Sequence, residues 1–79
     1  MQLNASDQTL NDKILAAHDE ADSSSLAKLY LEAAELKRVH DELAAVPFLL
    51  TQAYVFALEC GDPLATQLHQ QLVALGCEA

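Results

Sequence analysis

The stretch Leu43–Leu58, LAAVPFLLTQAYVFAL, constrains this chain more than any other segment, because apolar residues occupy nearly every side of it. Projected on a helix, Leu43, Val46, Leu50, Ala53, Tyr54 and Ala57 recur at steps of three and four and form one continuous stripe. A surface helix is polar elsewhere. Here Phe48, Leu49, Val55, Phe56 and Leu58 fill much of the opposite side, and only Thr51, Gln52 and Glu59 interrupt. An apolar surface on both sides requires neighbours on both sides, so the stretch reads as the central helix of a layered helical array.

A membrane span is the rival identity. The apolar run is about 16 residues, whereas a span takes roughly 20. Pro47 and Gln52 fall inside it, and Glu59 and Asp62 close it. Lys37 and Arg38 lie on one side only, a weak positive-inside asymmetry. A run this short is more often a buried core helix, and no stable membrane insertion is expected.

The remaining composition favours helix throughout. The chain has 79 residues, enough for one domain with a thin core. Ala and Leu dominate and lose little rotamer freedom in a helix, while only two Gly and two Pro occur. Twelve acids against four bases give a net charge of −8, which repels phosphate backbones and anionic membranes and attracts a basic surface. Nucleic acid is therefore an unfavourable partner, although solubility alone also accounts for the charge. Cys60 and Cys77 are too few for a disulfide framework, and MQLNASDQ lacks the basic and apolar parts of a signal peptide. Free thiols in a cytoplasmic setting are the expectation.

Punctuation divides the chain into four expected helices, about 7–20, 24–38, 42–60 and 63–75, between a lead-in at 1–6 and a tail at 76–79. Ser6 or Asp7 can cap the first, whose narrow stripe is Leu10, Ile14, Ala17 and Ala21. Asp22-Ser23-Ser24-Ser25 suits a turn and N-cap. Leu26, Leu29, Tyr30, Ala33 and Leu36 line the second helix, with Lys37-Arg38 near the negative pole of its dipole.

The next junction has two readings. A break at 40–41 lets Asp41 cap the third helix but puts a proline kink near 47. Alternatively the second helix runs to about Ala45 and the third starts at Pro47, where proline is tolerated. The first is preferred. Cys60-Gly61-Asp62-Pro63 is a strong stop and restart, after which Leu64, Leu68, Leu72 and Leu75 form a narrow seam. Asp22, Asp41 and Asp62 would begin helices at separations of 19 and 21, so two units make a helical hairpin of about forty residues. The expected fold is all-α: four antiparallel helices in two stacked helical hairpins.

Residues 23–75 carry a resemblance to a known family. Leu26-Ala27-x-x-Tyr30 resembles the cluster on the first hairpin helix of the tetratricopeptide-repeat family, and Leu64-Ala65-x-x-Leu68 resembles the start of a following one. Tyr54, Ala57 and Pro63 are similar to the aromatic, small residue and proline of the family's second helix. Tyr30 and Tyr54 stand about eleven residues further apart than the family's 34-residue repeat places them, so this hairpin is an elongated version. The resemblance implies stacked helical hairpins and a peptide- or protein-binding surface, and it assigns no individual binding residue.

The chain contains no glycine-rich phosphate loop, HExxH, CxxC or GxSxG. His18, His40 and His69 each stand beside charged or polar residues and read as solvated or partly covered side chains. No close His/Cys pair supplies even two zinc ligands, and Asp19, Glu20 and Asp22 lack the alternation and Gly of a calcium loop. Glu32 and Glu35 read as a solvated face. No enzyme activity, metal or cofactor is expected.

The leading functional reading is a non-enzymatic protein–protein interaction module. The third helix offers more apolar area than three short companions cover, so Phe48, Leu49, Val55 and Phe56 should divide between internal packing and a docking patch for a protein partner or a homodimer. The alternatives are a small accessory subunit of a larger enzyme or membrane complex, and an acidic inhibitor of a basic partner.

Overall fold

The computed structural model describes the backbone of residues 5–76 and the side chains of 9–76. The fold is all-α. Helix α1 is Ala5–Asp19, α2 Ser23–Val39, α3 Val46–Cys60 and α4 Leu64–Ala74, with a 3-10 turn at Leu43–Ala45 ahead of α3. Short corners force successive helices to run antiparallel. Among the described residues, backbones approach closely only between chain neighbours: α1 with α2, α2 with α3, and α3 with α4. The Cα extents are 36 × 30 × 13 Å, so the array is flattened in one direction.

The corners repeat one device. Ala21, Asp41 and Gly61 all take left-handed backbones, with φ of 52°, 58° and 67°. The next N–H in each case reaches back five residues: Asp22 to the Ala17 carbonyl at 2.9 Å, Glu42 to Lys37 at 2.8 Å, Asp62 to Ala57 at 2.9 Å. This is the Schellman closure, which satisfies carbonyls left over at a helix end. The equivalent positions are thus Asp22, Glu42 and Asp62, 20 residues apart each time. Asp41 sits in the left-handed position and caps nothing, contrary to the role expected from its place in the sequence. A short Asx side chain tolerates that backbone better than most, which is why an Asp serves where Gly is absent.

Asp22 and Asp62 do cap. The Asp22 carboxylate accepts from the Ser25 N–H at 3.2 Å and from its hydroxyl at 2.7 Å. The Asp62 carboxylate accepts from the Leu64 N–H at 2.9 Å. Ser6 and Asp7, read as caps for the first helix, instead fall inside α1, which already includes Ala5, so neither begins it; their side chains, and the tail residue Cys77, lie outside the described residues.

The third helix differs from the expected 42–60 with a kink near 47. The second helix stops at Val39, the 3-10 turn fills 43–45, and the α-helix begins at Val46 with Pro47 in its first turn. Proline has no N–H to give, and the first turn is where none is needed, so starting there removes the kink.

The core is small-residue rich. Ala27 and Ala34 of α2, Val46, Leu50, Ala53 and Ala57 of α3, and Leu68 and Leu72 of α4 form one buried cluster. Facing alanines let α2 and α3 approach closely, and Leu50, Leu68 and Leu72 supply the bulk. On α1, Leu10 and Ala17 are buried outside that cluster.

Candidate interaction surface

Helix α3 divides its apolar residues among three directions. Toward α2 and α1 it sends Leu49 and Phe56. The Phe56 ring stacks on Tyr30 at 5.8 Å with planes 10° apart, and the His18 ring meets it edge-on at 5.7 Å. His18 Nε2 lies 3.0 Å from the Tyr30 hydroxyl, which joins α1 to this cluster. Leu49 lines a groove of about 270 Å³ with Leu10, Ile14, Tyr30, Ala33 and Leu36. Toward α4, Tyr54 meets the His69 ring at 5.7 Å.

The third direction has no neighbour among the described residues. Phe48, Val55 and Leu58 face outward with 63%, 43% and 55% of their surface open. With Thr51 they fall at steps of three, four and three, so they form one straight stripe along α3. Thr51 is half-buried and donates its hydroxyl to the Pro47 carbonyl at 2.8 Å, which leaves its methyl as the group on offer. Leu43, 58% open, stands just before the helix.

Of the four residues singled out in the sequence, Phe48 and Val55 therefore lie on the open stripe. Leu49 and Phe56 are half-buried against α1 and α2. Leu58 completes the stripe and was not among them. The 3-4-3 spacing from Phe48 carried that signal, but a helix apolar on every side offers several such stripes.

Charge is segregated along the chain. All four Lys and Arg residues and nine of the twelve acids precede Leu43. Between Leu43 and Gly76 the acids are Glu59 and Asp62 alone, and both are engaged: Ser23 donates its hydroxyl to Glu59 at 2.9 Å, and Asp62 caps α4. The exposed residues of α3 and α4 are otherwise uncharged, including Gln67, Gln70 and Val73. Depletion of charge together with apolar exposure is the composition of an interface centre.

The charged half does local structural work. The Ser25 hydrogen bonds hold the Asp22 carboxyl below the ordinary aspartate range. Lys37 bonds the Glu42 carboxylate at 2.8 Å across the second corner and lowers its pKa in the same way. An open cavity of about 400 Å³ between α1 and α2 is lined by Lys13, Ala17, Glu20, Asp22, Ser25 and Lys28. Among the described residues no three His, Cys, Asp or Glu side chains gather as a metal site would require. The Cys60 thiol is exposed and unbridged.

The stretch Leu43–Cys60 has a mean hydropathy of 1.6 over 18 residues with 22% of them buried, long and apolar enough on those counts to cross a membrane. Comparison with protein-family models, with curated proteins and with solved structures finds no match.

Proposed function

We propose that this chain is a non-enzymatic interaction module that docks to another protein surface through the outward stripe of α3. One observation carries the reading: Phe48, Val55 and Leu58 stand open on a face that has lost nearly all charge, in a molecule whose net charge is −8. A solvated helix face gains from charge, and an apolar face without it gains from being covered. The helical-hairpin resemblance supports the same class of role.

A bilayer is the weaker occupant. The α-helical part of the stretch is 15 residues, about 22 Å long, against about 30 Å of hydrocarbon.

The test is binding of Nile red, a neutral dye that brightens on apolar surface, to the wild-type chain and to Phe48→Asp. Dye binding that Phe48→Asp removes, with the 222 nm helix signal unchanged, supports the reading. No dye binding, or binding indifferent to the substitution, refutes it.

A further inference from the structure

We infer that the partner covering this stripe is a second copy of the same chain, paired through α3 with the two helices antiparallel about a two-fold axis near residue 53. The inference rests on the docking reading above and names its occupant.

The stripe is self-complementary in spacing and in size. A two-fold axis across the middle of α3 sets Phe48 of one copy against Leu58 of the other, and Thr51 against Val55, since both pairs are symmetric about position 53. An antiparallel helix pair meshes its a and d positions in this way, and Phe48, Thr51, Val55 and Leu58 occupy a, d, a and d. The two large residues lie at the ends of the seam and the two small ones at its centre. The helices can therefore touch at the crossing while Phe48 reaches over the partner to fill the space beside Leu58.

Charge selects the same face. Two molecules that each carry −8 repel over most of their surface. Residues 43–76 hold two of the twelve acids and none of the bases, so this is where a like-charged copy can approach. The stripe also stays open beside α4, which packs Leu68 and Leu72 into the buried cluster of α3 and sets His69 against Tyr54.

Area sets the size class of the interface. Phe48, Val55 and Leu58 leave on the order of 350 Å² of apolar side chain open per copy, so with flanking groups a pair buries about 1,000 Å² in total, the low end of specific interfaces. Interfaces of this size belong to weak, transient associations.

Sedimentation equilibrium from about 5 µM to 1 mM, with Nile red binding and vesicle flotation alongside, tests the pairing. The expected result is a shift from the 8.6 kDa chain toward twice that mass. Phe48→Asp and Leu58→Asp should each weaken association at least about tenfold with the helix signal retained, since each strands a charge at the seam. Leu15→Asp, on an α1 residue 56% open, should leave it unchanged. An isotope-filtered NOE between the Phe48 ring and the Leu58 methyls is expected, because these groups lie about 15 Å apart within one helix and can meet only between copies. If the Asp variants unfold, concentration-dependent shifts of the wild-type Phe48, Thr51, Val55 and Leu58 resonances decide the question instead.

A chain that stays monomeric at 1 mM, or a dimer insensitive to both substitutions, overturns the pairing. A Phe48–Phe48 NOE between copies overturns the antiparallel register. A monomer that still binds Nile red through Phe48 refutes the second copy and leaves the docking reading standing. A monomer that binds no dye refutes both. A monomer that floats with neutral phosphatidylcholine vesicles in a Phe48-dependent way overturns both in favour of a lipid surface.

Discussion

Two phenylalanines eight residues apart on one helix should differ sharply in what they hold together. The perturbation is Phe56→Ala set against Phe48→Ala. Phe56 is half-buried, stacked on Tyr30 at 5.8 Å and met edge-on by His18 at 5.7 Å. Truncating a fully buried Phe costs about 3–5 kcal/mol, so this partly covered ring should cost about 2–3 kcal/mol, its aromatic contacts included. Phe48 is 63% open, and its loss should cost under about 1 kcal/mol. A domain of 79 residues has about 4–12 kcal/mol in total, so Phe56→Ala removes a sizeable share. At about 4–8 °C per kcal/mol, Tm should fall by about 10–20 °C for Phe56→Ala and by no more than about 8 °C for Phe48→Ala. The assay is thermal and urea unfolding followed at 222 nm on about 5 µM protein, below the expected dimerisation range. Equal losses for the two variants would refute the division of α3 into inward and outward faces.

Two further outcomes follow from the corners. Gly61→Ala should lower Tm by about 4–8 °C, because φ is +67° and the added Cβ meets nothing within 4 Å, leaving only the left-handed penalty. Ala21→Gly, at φ +52° in the equivalent corner, should raise Tm by a similar amount, as measured in the same melts. The Asp22 carboxyl is held below its ordinary pKa by Ser25, so its contribution is complete above the unfolded-state value and is lost as pH falls through the folded-state one. Tm plotted against pH should therefore drop below about pH 4 in the wild type and drop less in Asp22→Asn.

The stop signals show how far local chemistry reaches. Gly61 and Asp62 are legible because glycine tolerates a left-handed backbone and a short carboxylate can bond a free N–H at a helix start. The second corner misleads for the same reason: it has no glycine, and an aspartate looks like a cap whether it sits before the helix or in the left-handed position. The Lys37 carbonyl, which accepts from Glu42, settles the register, and that bond exists only once the chain has turned. Pro47 was ambiguous in sequence because a start at 42 gave the helix a cap and a kink, whereas a start at 47 suited the proline and left Asp41 without a role. The structure combines them, ending α2 at Val39 and starting α3 at Val46, with the 3-10 turn between.

Residue identity alone determined that this chain is helical, acidic in its first half and nearly uncharged in its second, because propensity and charge are properties of single side chains. It could not determine which of Phe48, Leu49, Val55, Phe56 and Leu58 meet water. A helix apolar all round has no preferred phase of its own, and its inside is whichever arc its neighbours happen to occupy. Tyr30 and His18 claimed Phe56, His69 claimed Tyr54, and the arc that no helix reached became the candidate docking face.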